Sequence, residues 1–146
     1  MLVITAPDEA PVCAPSLFLA GGISACADWQ KQIIALLAHT DLTLINPRRE
    51  AFDLQDKSVA EAQIRWEYRR LREASAVLFW FPPETLCPIT LFELGGALER
   101  NAPVFVGCDP GYARRADVIT QTALARPGIR VTETLADLAA QVVRAF

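Results

Sequence analysis

The chain has 146 residues, of which 52% are hydrophobic, and its formal net charge at pH 7 is −3. This length is typical of one domain with its own apolar core. Its basic residues form no continuous stripe, which argues against a nucleic-acid polymer as partner. No apolar run approaches the roughly 20 residues that span a bilayer, and the N-terminus lacks a secretory signal pattern. We therefore predict a cytoplasmic protein without a membrane partner.

Residue types that bind metals or form nucleophilic triads are sparse. The four cysteines, Cys13, Cys26, Cys87 and Cys108, contain no C-x-x-C pair, and His39 is the only histidine. A thiolate or imidazole cage would require distant thiols to converge, so we predict neither a metal site nor a cofactor. A lone histidine at the end of a helical pattern is also a poor general base for a Ser or Cys nucleophile. The sequence therefore favours chemistry carried by carboxylates.

Short apolar runs alternate with amphipathic stretches of helical length. Pro7, Pro11 and Pro15 predict an irregular lead-in over residues 1–15, which could pack as an extra edge segment. In chain order, strands are predicted at 17–20, 42–45, 76–81, 103–107 and 129–131, and helices at 29–38, 58–74, 88–100, 114–125 and from 135 onward. We assign residues 16–146 to one domain.

This alternation predicts an α/β fold: a single doubly wound, flavodoxin-like domain with a five-stranded parallel sheet in the order 2-1-3-4-5. In such sheets ligands bind outside the carboxyl ends of the strands, where the strand order reverses. We therefore expect the site at the ends of the first and third predicted strands.

Two loops at this edge carry candidate binding residues. Gly21 and Gly22 would let backbone N–H groups approach a sugar or phosphate, although a tight strand-to-helix turn needs glycine equally. The second predicted strand is followed by residues that could hold a nucleoside or its phosphate: Asn46, Pro47, Arg48, Arg49 and Phe52. The alternative for this second loop is an Asn-Pro turn followed by solvated arginines.

The helix predicted at 58–74 carries apolar residues on two sides. Ile64, Tyr68 and Leu71 form a stripe at helical spacing, and Glu67 lies at its edge, partly shielded. Trp66 falls on nearly the opposite side of the helix. This predicts that both sides of the helix are covered, either by other parts of the chain or by a second subunit. For Glu67 the alternative is an exposed ion pair with Arg70.

Glu93 is the leading catalytic candidate. It lies early in the helix predicted at 88–100, with small residues one turn later, while the leucines of that helix serve the core from a different face. The helix dipole is expected to keep the carboxylate ionised, as suits a nucleophile. The alternative is a capping box in which Glu93 bonds back to Thr90, although Pro88 favours an earlier helix start.

Four segments in this order resemble nucleoside 2-deoxyribosyltransferase-like proteins: Ser16 to Ile23, Asn46 to Arg49, Trp66-Glu67, and Phe92 to Gly95. The resemblance spans about residues 16 to 120. It implies that Glu93 is the nucleophile of an E-[IL]-G motif and that Glu67 acts in substrate binding and proton transfer. The implied reaction forms a covalent glycosyl-enzyme by attack on the anomeric carbon of a nucleoside.

The resemblance also implies binding roles and an assembly. Sugar hydroxyls or a 5′ phosphate would be held by Gly21, Gly22, Ile23 and the loop from Asn46 to Arg49, and the base would contact Trp29, Phe52 or Trp66. Shared active sites in the resembling transferases imply a homo-oligomer of two or more subunits. The C-terminal segment does not resemble theirs, which leaves transfer and hydrolysis both open.

A different class of function remains compatible with the sequence. The fold alone implies no catalysis, so the chain could be a nucleotide-binding or sensing module. The two classes differ in what they need from Glu93, because a binding module requires it only as a cap or hydrogen-bond acceptor.

Overall fold

A computed structural model describes residues 1–49 and 57–146. The described residues form the strands β1 (Leu2–Thr5), β2 (Ser16–Gly21), β3 (Thr43–Asn46), β4 (Ala76–Phe81), β5 (Val104–Cys108) and β6 (Val131–Thr132), and the helices α1 (Trp29–Leu36), α2 (Lys57–Glu73), α3 (Pro88–Glu99), α4 (Arg115–Ala125) and α5 (Leu135–Ala145). None of these helices has both the length and the apolar character needed to cross a membrane.

The strands form one parallel sheet in the order β1-β3-β2-β4-β5-β6. The predicted α/β architecture is confirmed, but the predicted count of five strands is wrong. The added strand is β1, which lies within the supposedly irregular lead-in and pairs with β3 from Leu2 opposite Thr43 to Thr5 opposite Asn46. The five predicted strands keep their relative order, so the whole sheet differs only at this edge. A run as short as Leu2 to Thr5 becomes a strand because β3 offers it an unpaired edge.

Helices cover both faces of the sheet. The alternating side chains of β4 show the division: Phe79 and Phe81 point to a core shared with α2, α3 and α4, whereas Leu78 and Trp80 point to a core shared with α1 and α5. Because both faces of β4 are buried, its sequence is continuously apolar. The doubly wound arrangement therefore places α2 and α3 on the same face.

Of the two apolar sides predicted for α2, the described chain covers the Trp66 side. Trp66 is 3% exposed, whereas Ile64 and Tyr68 are 64% and 61% exposed. The Trp66 indole lies 6.5 Å from the Phe18 ring, centroid to centroid, and its Nε1 donates to the Asp8 carbonyl at 2.9 Å. The inward side of α2 is therefore the Trp66 side, and the stripe of Ile64 and Tyr68 lies on the surface.

Candidate functional site

A groove of about 790 Å³ lies between α2 and α3 and holds both candidate carboxylates. Glu67 reaches it from α2 and Glu93 from α3, and Ile23 closes it from the loop that follows β2. Its remaining lining is mostly apolar: Ile64, Tyr68, Leu71, Ile89, Leu91 and Phe92, with Arg72 and Arg100. The end of the groove at Ile23 lies beside the carboxyl end of β2, where a doubly wound sheet predicts a ligand, and from there the groove follows the two helices to Arg72 and Arg100.

Glu93 is not a helix cap. Helix α3 begins at Pro88 with Cys87 as its N-cap, and Thr90 lies inside the first turn, 4% exposed. The first helical bond runs from the Leu91 N–H to the Cys87 carbonyl at 3.1 Å. A capping box would need Thr90 at the cap position, so that alternative is wrong. Glu93 instead points into the groove beyond the first turn.

The surroundings of Glu93 favour its protonated form. Burial, together with the nearby charge of Glu67, raises the pKa of Glu93 to about 7 from its ordinary value of 4.5, and Arg72 partly opposes this rise. The expectation that the helix dipole keeps this carboxylate ionised is therefore wrong. The dipole acts mainly within the first turn, whereas desolvation and a like charge act directly at the carboxyl group.

Glu67 is half-buried in the same groove as Glu93 and is held by its own helix. Burial raises the pKa of Glu67, and a hydrogen bond from Gln63 Nε2 to Glu67 Oε1, 2.7 Å long, opposes this rise. The alternative ion pair with Arg70 does not form, because Arg70 pairs with Glu73 at 3.0 Å and with Glu9 at 3.3 Å. Two neighbouring carboxyl groups with raised pKa values can share one proton, so one can act as an acid while the other carries the charge.

A smaller cavity of about 90 Å³ adjoins the groove at Ile23 and Glu67, which line both spaces. Its other lining residues are Ser24, Pro47, Arg49 and Gln63. The structure therefore places five of the predicted site residues along two adjoining cavities: Ile23, Pro47, Arg49, Glu67 and Glu93.

Gly21 and Gly22 are required by packing. A Cβ on Gly21 would lie 2.4 Å from the Trp29 ring and 2.6 Å from the Trp80 carbonyl oxygen. A Cβ on Gly22 would lie 2.9 Å from the Thr85 side chain. The Gly22 carbonyl accepts hydrogen bonds from Trp29, Gln30 and Arg48. The tight turn accounts for both glycines, and Ile23 is the residue of this loop that faces the groove.

Arg48 ties the loop after β3 to the loop after β2. Its Nε donates to Gln30 Oε1 at 2.8 Å, and its terminal nitrogen donates to the Ala27 carbonyl at 3.0 Å. Asn46 Oδ1 accepts the Arg48 backbone N–H at 3.0 Å, which forms the turn that an Asn-Pro pair predicts. Asn46 and Arg48 therefore stabilise the rim of the site: Asn46 forms the Asn-Pro turn that was the alternative for this loop, whereas Arg48 is bonded to the neighbouring loop and is not a solvated arginine.

Two of the three aromatic residues proposed for base contact are core residues. Trp29 is 1% exposed and donates from Nε1 to the Gly22 carbonyl at 2.8 Å, and Trp66 is 3% exposed. Neither indole presents a free face to the groove, so the expected contact of Trp29 or Trp66 with a base is wrong. Phe52 lies outside the described residues.

Sequence reasoning missed Gln63 and the exposed apolar rim of the groove. Gln63 stands four residues before Glu67, a spacing that could have marked it as a hydrogen-bond partner on the same helix face. Phe92, beside Glu93, is 82% exposed, and Ile89 is 64% exposed. Within residues 1–49 and 57–146, no three His, Cys, Asp or Glu side chains gather closely enough to hold a metal ion.

The family model of nucleoside 2-deoxyribosyltransferase-like proteins matches residues 14–112, which include Glu67, Glu93 and both loops. The chain belongs to this family. Among solved structures, it resembles a conserved protein from Enterococcus faecalis V583 with a TM-score of 0.65 and 15% sequence identity, over 92% of this chain and 100% of that one. At this identity the likeness supports the fold alone. Comparison with curated proteins finds no match.

Proposed function

We propose that this deoxyribosyltransferase-like protein breaks the N-glycosidic bond of a nucleoside or nucleoside 5′-monophosphate, with Glu93 as nucleophile. The observation that carries the proposal is the pair of half-buried carboxyl groups, Glu67 and Glu93, in an apolar groove where the pKa of Glu93 is raised to about 7. Near neutral pH the pair can hold one proton and one negative charge, and in the reactive arrangement the proton lies on Glu67 and the charge on Glu93. Cleavage with retention of configuration needs both of these forms.

In the first step an ionised Glu93 oxygen bonds to the anomeric carbon as the carbon–nitrogen bond breaks. The bonding electrons leave with the base, and Glu67 supplies the proton that the departing nitrogen takes up. In the second step water or another base attacks the same carbon, the ester to Glu93 breaks, and Glu67 accepts the proton. Two displacements at one carbon restore the original configuration.

The pH dependence of base release should report the Glu93 carboxyl. Because the attacking form is ionised, kcat/KM should rise with pH through a midpoint near 7, where the pKa of Glu93 lies. The Glu67 charge raises that pKa, so Glu67→Gln should move the rise to lower pH. It should also lower kcat by roughly 10²-fold or more, because the proton donor is lost. A pH series of initial rates measures both effects.

Glu61→Gln is the matched control for Glu67→Gln, because Glu61 lies on the same helix and is exposed. Its profile should coincide with that of the unsubstituted protein. An unchanged midpoint in Glu67→Gln would mean that the two carboxyl groups do not interact as proposed.

We also propose that a second copy of the chain covers the exposed rim of the groove. Ile64, Tyr68, Ile89 and Phe92 leave large apolar side chains at the edge of the site, and a partner would remove them from water. We expect sedimentation equilibrium to find a dimer or larger assembly and Phe92→Ser to shift it toward monomer. A monomeric protein at all concentrations would count against this arrangement.

The proposed function is tested by chromatography of free base after incubation with ribo- and deoxyribonucleosides and their 5′ monophosphates. Each substrate is incubated with and without an acceptor base. Release that needs the acceptor indicates a transferase, and release without it indicates a hydrolase. Ligand binding without any release would instead support the nucleotide-binding or sensing module.

A further inference from the structure

Gln63 carries a buried hydrogen-bond acceptor that the described part of the chain leaves unused. The residue is 8% exposed and lines the 90 Å³ cavity beside Glu67. Its Nε2 donates to the Pro47 carbonyl at 2.9 Å and to Glu67 Oε1 at 2.7 Å. Its Oε1 is buried and has no hydrogen-bond partner within residues 1–49 and 57–146. A buried acceptor in this state is uncommon in native proteins and calls for an explanation.

The orientation of this carboxamide is fixed by its neighbours. Both acceptors, the Pro47 carbonyl and the Glu67 carboxyl oxygen, lie against the nitrogen. A flipped amide would direct its oxygen at the Pro47 carbonyl, where it could make no hydrogen bond. Oε1 is therefore held in place as an acceptor. It can form a hydrogen bond only with a donor other than the described residues that surround it.

The size and charge of the adjoining cavity restrict that donor. About 90 Å³ can take a hydroxyl-bearing carbon or a few waters, each of which occupies about 30 Å³ in the liquid, whereas a base has room in the groove of about 790 Å³. A phosphate ester at pH 8 is almost fully deprotonated and offers Oε1 no proton. The chemistry that fits Oε1 is thus a neutral hydroxyl group.

We propose that Gln63 Oε1 accepts a hydrogen bond from one sugar hydroxyl of the ligand and so determines which sugars the site takes. The inference rests on the proposed function, because it assumes that the ligand in the groove is a nucleoside. Gln63 is a specificity residue here: it holds the sugar in the small cavity while the carboxyl groups of Glu67 and Glu93 meet the bond that breaks. The hydrogen bond from Nε2 also positions Glu67.

The test compares ligand binding after one hydroxyl is removed from the ligand, after Gln63 is substituted in the protein, and after both changes together. The ligands are adenosine, guanosine, cytidine and uridine, with the 2′-, 3′- and 5′-deoxy analogue of each. Binding is measured calorimetrically on the full chain carrying Glu93→Gln, which prevents turnover. Gln63→Met removes donor and acceptor at nearly constant length. Gln63→Lys keeps N–H groups for Pro47 and Glu67 but removes the acceptor.

With Gln63 present, loss of one particular hydroxyl should weaken binding roughly ten- to a hundredfold, because a buried acceptor then stays unpaired. In both Gln63 variants the same loss should cost less than about threefold. Gln121→Met, at an exposed position on α4, is the matched control and should retain the full discrimination. The inference would be overturned if loss of the hydroxyl weakened binding equally in the protein with Gln63, in both Gln63 variants and in Gln121→Met.

Base release by the unsubstituted protein, measured in parallel, separates this inference from the proposed function. Discrimination that depends on Gln63 without base release would leave Gln63 as a sugar-recognising residue of a binding protein. Base release with discrimination that does not depend on Gln63 would overturn the inference and leave the proposed function standing. If none of these nucleosides binds, the inference is overturned, and base release from the 5′ monophosphates decides the proposed function.

Discussion

Glu93→Gln is expected to lower kcat/KM for base release on the order of 10⁴-fold or more, with ligand binding retained. The amide cannot form the ester to the anomeric carbon, while its shape and size preserve the groove. Single-turnover measurements with the best substrate of the panel would separate loss of the chemical step from loss of binding. Denaturation of the covalent intermediate followed by mass measurement should find a glycosyl group on Glu93 in the unsubstituted protein only.

Glu99→Gln provides the matched comparison, since Glu99 lies on the same helix and is exposed. Its rate should match that of the unsubstituted protein. If Glu93→Gln retained more than about a tenth of the activity, Glu93 would be at most a stabilising charge, and another nucleophile or direct attack by water would have to be sought.

Trp66→Ala is expected to lower the free energy of unfolding by about 3–5 kcal/mol. The indole fills the space between α2 and the sheet beside Phe18, and it holds the N-terminal segment through the Asp8 carbonyl. Removing it leaves a cavity, which neighbouring groups can close only in part, while the Asp8 carbonyl keeps its hydrogen bond from Arg70. Denaturant unfolding followed by circular dichroism measures the change.

Ile64→Ala tests the same helix from its other side. Ile64 is 64% exposed, so in protein diluted to the monomer its replacement should change the free energy of unfolding by less than about 0.5 kcal/mol. The opposite ranking, with Ile64→Ala the more damaging variant, would mean that α2 packs with its Ile64 side inward.

The difference between these two residues marks a limit of sequence patterns in α2. Spacing alone groups Ile64, Tyr68 and Leu71 as one apolar stripe, but only Leu71 of the three is buried, and the buried side also contains the polar residues Gln63 and Arg70. Distant groups offset part of the cost of their burial: the Pro47 carbonyl accepts a hydrogen bond from Gln63, and the Asp8 carbonyl accepts one from Arg70 at 3.0 Å. Neither partner can be identified from the sequence of the helix.

Local signals were reliable where burial is complete or backbone geometry is decisive. The continuous apolar run at 76–81 is strand β4, Pro88 is the first residue of α3, and Asp28 caps α1 by accepting the Lys31 N–H at 3.0 Å. The weak run at the N-terminus was misread, because β1 depends on pairing with β3 and has little signal of its own.

The amino-acid sequence by itself determined the alternation of strands and helices, the parallel sheet that follows from it, and the positions of Glu67 and Glu93 on two helices. These features depend on neighbours a few residues apart. Only the tertiary structure decided that the two carboxyl groups share one groove, that Trp29 and Trp66 are core residues, that Arg48 joins two loops, and that Glu93 binds its proton more tightly than a free carboxyl group. Each of these depends on burial and on partners far away in the chain, since desolvation and charge act through space.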